Sequence, residues 1–183
     1  MPHRFETCQW VPYPVELVFA FFANPSNLPP LMPPILQTRI EDIRLQPPPA
    51  RPLAEAPERR FQSVAAGRGT ELHISFQPLA WIPRRVSWIA RITEFEWNSH
   101  FCDEQVRGPF EHYKHCHWIA AEVRDGVEGT LVTDSIEFEL PYGGVGQMGV
   151  GFVRANLKKS FAYRQKRLPQ ILAAAARQAV KRA

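Results

Sequence analysis

Residues 112–140 read HYKHCHWIAAEVRDGVEGTLVTDSIEFEL, and the Asp125-Gly126 step divides them into two strands. Asp-Gly suits a two-residue hairpin loop, because both central residues of that turn must take positive φ. Alternate residues of a strand share a face. Val132, Asp134, Ile136, Phe138 and Leu140 therefore lie on one side of 127–140, with Thr133, Glu137 and Glu139 on the other. The apolar side must turn inward, and it carries Asp134 with it. If Arg124 pairs with Val127, His117 falls opposite Asp134 and Ile119 opposite Val132. On 112–124, Tyr113, His115, His117, Ile119 and Ala121 then share the inner face, while Lys114, Cys116 and Trp118 turn away. A buried carboxylate needs partners, so this hairpin implies an internal polar cluster.

Working outward, the alternation continues over 68–77, 84–96 and 99–107, punctuated at Gln77-Pro78, Trp97-Asn98 and Gly108-Pro109. Strands joined by short turns make an antiparallel meander. Phe5–Trp10 alternates as a first strand and Ile35–Leu45 as a second. Between them Val15, Val18, Phe19 and Phe22 are spaced as one helical face, and Asn24 is placed to cap a second short helix through Leu28. Pro29, Pro30, Pro33 and Pro34 are expected to end helical structure. The proline-rich stretch at about 46–60 reads as a surface loop or a mobile insertion. After the glycines at 143–149, the stripe Val150, Val153, Leu157, Phe161, Leu168 and Ile171 predicts a long amphipathic helix over 147–180, with a kink at Pro169. A meander cannot bury its concave face alone, and this helix is the available partner. The expected fold class is α+β: one domain over 1–183, a curved antiparallel sheet of about seven strands around the C-terminal helix.

The 183 residues are 45% hydrophobic and 22% charged, as in ordinary globular chains. No apolar run nears the ~20 residues that span a bilayer, so no stable membrane insertion is expected. Cys8, Cys102 and Cys116 are odd in number and widely spaced, which reads as free thiols in a cytoplasmic protein. Nine Lys or Arg follow Glu139 with no acidic residue among them, whereas residues 1–139 hold 13 basic and 18 acidic groups. This basic helix reads as a solvated face, since no stacking aromatics interleave it as nucleic-acid binding would require.

The element order, with two short helices after the first strand, resembles the START-like or helix-grip (SRPBCC) superfamily, and within it the bacterial ligand-binding cyclase/dehydratase-like group. The likeness rests on residues 18–25 (VFAFFANP) with Leu28, on 103–110 (DEQVRGPF), on His115-Cys116-His117, on Asp134, on 141–146 (PYGGVG), and on Phe161 with Arg164. It spans nearly the whole chain except the proline-rich insert. The resemblance implies the helix-grip fold around a ligand cavity. It leaves activity open, because relatives include carriers, receptors, cyclases and oxygenase domains.

A five-residue connection over Gly108-Pro109 pairs Arg107 with Tyr113, which sets Gln105 opposite His115 and Asp103 opposite His117. Asp103, His117 and Asp134 then form one row, with His117 as the acid–base candidate between two carboxylates. The remaining ligand-binding candidates are Trp88, Phe101, Gln105, Tyr113, His115, Ile136, Phe138, Val153, Leu157, Phe161 and Arg164. Of these, Arg164 either faces the cavity or reaches to solvent. His115-x-His117 with Asp103 or Asp134 offers metal-ligand chemistry, but the spacing is no strong signature, so neither a metal nor a cofactor is expected. Three functions stand side by side: binding of a small apolar, lipid-like or aromatic/polyketide-like ligand; a cofactor-independent cyclase or dehydratase; and an accessory protein using the basic helix. A second copy of the chain is a further candidate partner.

Overall fold

The computed structural model describes residues 2–54, 63–78 and 84–180, with the side chains of 145 and 178–180 left aside. Seven strands, β1 (His3–Val11), β2 (Arg39–Arg44), β3 (Glu71–Phe76), β4 (Val86–Glu96), β5 (His100–Arg107), β6 (His112–Arg124) and β7 (Val127–Glu139), form one antiparallel sheet. Its order is β1-β7-β6-β5-β4-β3-β2. Helices α1 (Val15–Phe22) and α2 (Leu28–Leu31) follow β1, and α3 (Gly143–Gln147) leads into α4 (Val150–Val180). Register shifts in β2 and at two places between β4 and β5 bend the sheet. Its concave side faces α4.

The β6–β7 hairpin has the expected register, from Arg124↔Val127 through His117↔Asp134. Asp125 and Gly126 take φ of 49° and 76°, as the tight turn demands. Phe19, Phe101, Ile119, Val132, Leu168 and Leu172 anchor one core cluster between sheet and helices. Ile136, Phe138 and Phe161 anchor a second, nearer the start of α4. Leu168, Pro169 and Ile171 all lie within α4, which runs through Pro169 without a break. Polar contacts fasten α4 to β1: the Gln165 side chain donates to Thr7 Oγ1 at 2.9 Å, and Gln9 donates to the Gln165 carbonyl at 2.8 Å.

Four expectations are corrected. Pro29 and Pro30 sit in the first turn of α2, and Pro34 opens a 3-10 turn over Pro34–Leu36. First-turn N–H groups have no intrahelical partner, so proline loses nothing there. The register of β5 on β6 is shifted by two residues, so Asp103 faces His115 and Phe101 faces His117. Gln105 closes the connection between the two strands, its side-chain amide accepting from Phe110 N (3.2 Å) and donating to Phe110 O (2.7 Å). An even shift preserves faces, so each side chain keeps its side and only its neighbour changes.

The same shift puts Cys102 directly across from Cys116, and the two are joined as a disulfide, not free thiols. Cys8 is free and exposed, and with a disulfide present the cysteines no longer point to a cytoplasmic setting. The first half of the proline-rich stretch is not a mobile insertion. Gln46 N donates to Thr70 Oγ1 at 2.9 Å, Trp97 donates to the Pro49 carbonyl at 2.8 Å, and Arg51 stacks 4.4 Å from the Trp97 ring. Residues 55–60 of that stretch lie outside the described residues. No helix among the described residues is long and apolar enough to cross a membrane.

Gly129 in β7 makes a sharp test of this packing. A Cβ there would collide with the Trp10 indole and the Val11 carbonyl oxygen across the β1–β7 pair. Gly129→Ala is therefore expected to cost about 1–3 kcal/mol, read as a lower denaturant midpoint at unchanged slope.

Candidate functional site

A cavity of about 510 Å³ lies between the concave sheet, α1–α2 and the first half of α4. One inner face of β3 and β4 supplies Leu72, Ile74, Trp88, Ala90 and Ile92 to its wall. Phe101 and Asp103 come from β5, and Tyr113, His115 and His117 from β6. Helix α4 contributes Val153, Leu157 and Phe161 from the predicted stripe, together with Arg164 and, off the stripe, Phe152, Asn156 and Ser160. Trp88 and Tyr113 meet edge to face with centroids 4.6 Å apart, which stiffens that wall. Gln105, Ile136 and Phe138 do not line the cavity. Gln105 holds the β5–β6 turn, while Ile136 and Phe138 are fully buried against α4.

Sequence reasoning overlooked the α1–α2 side: Phe22, Asn24, Asn27, Leu28 and Leu31 also line the cavity. The period-two runs Leu72/Ile74/Phe76 and Trp88/Ala90/Ile92 carried a readable signal for the β3–β4 wall. Phe22 lay on the readable apolar face of α1, but the α2 contribution carried no signal, since its four residues are too few for a periodicity argument.

The polar end is organised by Asp134, which is buried behind the wall. Its Oδ1 lies 3.0 Å from His115 Nε2, 2.7 Å from His117 Nδ1 and 3.1 Å from Arg164 Nη1. The His115 and Arg164 contacts are well-directed hydrogen bonds. The His117 contact is close but out of line, which leaves Nδ1 buried without a hydrogen-bonded partner. Asp103 Oδ1 approaches the other side of His115, 4.0 Å from Nδ1. The two imidazoles meet tilted by 49°, with centroids 4.0 Å apart, and Arg164 lies over the Phe22 and Phe161 rings at 5.2 and 5.3 Å. Arg164 thus faces the cavity, with its side chain 12% exposed.

These surroundings set the charges. Burial by itself would raise the Asp134 pKa, but Arg164 and the two histidines outweigh it and hold this carboxyl well below the usual range. Burial pushes Asp103 the other way, above its ordinary value, against the pull of His115 and Arg164. Burial first, and His115 second, push His117 down to about 3, with Asp134 opposing, so its imidazole is neutral near neutral pH. Burial also raises the Tyr113 phenol.

No protein-family model matches the chain, and no curated protein sequence matches it. Solved structures do. A protein of Thermus thermophilus aligns over 94% of this chain and 99% of its own at 17% identity, with a TM-score of 0.56. The chain has the START-like helix-grip fold. The ginseng major latex-like protein 151 from Panax ginseng shares that fold at 10% identity, over 92% of this chain and 96% of its own, with a TM-score of 0.60. A norcoclaurine synthase point mutant from Thalictrum, solved with a transition-state analogue, matches at 11% identity, 95% and 96% coverage and a TM-score of 0.59. At these identities the helix-grip likeness establishes architecture and leaves the chemistry to the site.

The neutral His117 makes a pH prediction. Its folded pKa is depressed below the ordinary value of about 6.5, so the folded state binds fewer protons than the unfolded chain between the two values. Its stabilising contribution is complete above about pH 6.5 and is lost as pH falls towards about 3. Thermal melts should therefore show Tm falling more steeply from pH 6.5 to 4 in the wild type than in His117→Gln. Parallel curves would contradict this assignment.

Proposed function

We propose that this protein binds a small, mostly apolar molecule, lipid-like or aromatic, in the internal cavity. The observation that carries the reading is the cavity itself: about 510 Å³, walled chiefly by aliphatic and aromatic side chains. That volume lies within the ~300–1,000 Å³ of small-molecule sites, which pair apolar walls with a few converging polar groups. Here Asp103, His115, His117 and Arg164 gather at one end. A ligand with a hydroxyl, carbonyl or carboxylate at one end would orient by that cluster and bury its apolar body along Trp88, Tyr113 and Leu157. The helix-grip neighbour crystallised with a transition-state analogue supports a small-molecule role for such a fold.

Acid–base catalysis is a second reading, of cyclase or dehydratase type, and one observation favours it. Two carboxylates flank His115, and their environments push them apart, Asp103 towards the protonated form and Asp134 towards the ionised form. Divergent pKa values of that kind mark acid and base assignments. In this version His115 replaces His117 as the proton carrier, because the β5–β6 register sets Asp103 across from His115.

Titration with a neutral apolar fluorophore such as 1-aminoanthracene tests the binding reading. Saturable uptake of one molecule per chain is expected, with Leu157→Trp, which fills the cavity, weakening it at least tenfold. Equal affinity in the two proteins would sink the proposal.

A further inference from the structure

The two-residue shift that moves Asp103 opposite His115 has a second consequence. Asp103, His115 and His117 each offer a ligand atom, and these atoms all lie within 4.8 Å of one another. We infer that these three side chains form a mononuclear site for a divalent transition-metal ion at the polar end of the cavity.

Each part of the arrangement fits that chemistry. The two histidines occupy alternate positions of β6 and share its inner face, while Asp103 reaches across from β5. Two imidazoles and one carboxylate suit zinc or ferrous iron. Three protein ligands also leave positions open towards the cavity for water or for a donor atom of the bound molecule.

Metal-bound histidines usually give their other ring nitrogen to a carboxylate, which fixes tautomer and orientation. Asp134 is placed to accept it: His115 Nε2 donates to this carboxylate at 3.0 Å, turning Nδ1 towards Asp103. His117 also lies beside this carboxylate. It is 5% exposed, yet its Nδ1 makes no hydrogen bond despite lying 2.7 Å from Asp134. A small rotation of this ring would improve that bond and reposition its second nitrogen.

Charge does not oppose the assignment. Arg164 is paired to Asp134 at 3.1 Å, so the two largely cancel and Asp103 remains to face the cation. Ligand atoms around a zinc ion sit roughly 3.3 Å apart, given metal–ligand bonds of about 2.0–2.2 Å in tetrahedral geometry. The Asp103 Oδ1 to His115 Nδ1 distance of 4.0 Å exceeds that value, and the three ligand atoms together span up to 4.8 Å. Binding therefore requires side-chain rotation at Asp103 and the two histidines, whose backbone positions β5 and β6 hold. The site uses the His115 lone pair that proton transfer would need, so it competes with acid–base chemistry while leaving apolar binding intact.

The test is a Co²⁺ titration of chelator-treated full-length protein, read by visible ligand-field absorption and by metal content after gel filtration. One Co²⁺ per chain is expected, displaced by Zn²⁺. Asp103→Asn and His115→Gln should each weaken uptake at least 100-fold. Asp134→Asn should weaken it 10–100-fold, as loss of an orienting carboxylate does. His112→Gln, on the same strand but outside the cluster, should leave it unchanged. Folding of each variant is checked by its melting curve, and the wild-type result alone can decide the matter. Substoichiometric uptake by the wild type, or uptake that the ligand variants leave intact, overturns the inference. If 1-aminoanthracene still binds in that case, the metal site fails and the binding reading stands.

Discussion

Asp134 sits on the inner face of β7 with its side chain 7% exposed, and burying such a group without partners would cost several kcal/mol. Three cationic or polar groups meet its Oδ1: Arg164 from α4, and His115 and His117 from β6. The requirement to satisfy that charge therefore fixes where α4 lies over the sheet. It also sets how the two histidines are turned and why the cavity has a polar end at all. A cavity is a gap that the helix bridges, and the Asp134–Arg164 pair is a polar strut across it. Gln165, one residue along, makes the matching attachment to β1.

Much of this was legible because strand chemistry is periodic. The alternation over 127–140 admitted a single inward face, and Asp125-Gly126 set the register to its partner, so the His117–Asp134 pair could be read without coordinates. Arg164 on the apolar stripe of α4 could be reached the same way, though only as one of two options. The β5–β6 register could not. It goes with a connection in which the Gln105 side chain, not a backbone pair, bonds to Phe110, and no periodicity reports that. A shift of two residues left every face intact but exchanged neighbours, moving Asp103 from His117 to His115 and aligning Cys102 with Cys116. The disulfide was missed for the same reason. The prolines at 29, 30 and 34 misled because proline obstructs the interior of a helix but not its first turn.

The disulfide also bears on the site. Cys102–Cys116 joins β5 to β6 on the face opposite the cavity, between the Phe101–His117 and Asp103–His115 pairs. It holds together the two strands that carry Asp103 and both histidines. Sites built on rigid strands keep their geometry better than sites on loops. The polar end of this cavity is thus fixed by the sheet and the bridge, while its apolar length is shared with α1, α2 and α4. Binding specificity for the apolar body and chemistry at the polar end are consequently separable features of one cavity.

Asp134 and Arg164 act as a unit that ties helix to sheet. A double-mutant cycle on Asp134→Asn and Arg164→Met, followed by chemical denaturation, measures that coupling. Each single change leaves a buried charge without its opposite charge, so the double variant should be more stable than the sum of the singles implies. The coupling should exceed about 1 kcal/mol. Additivity within roughly 0.5 kcal/mol would contradict it, because independent sites behave in that way.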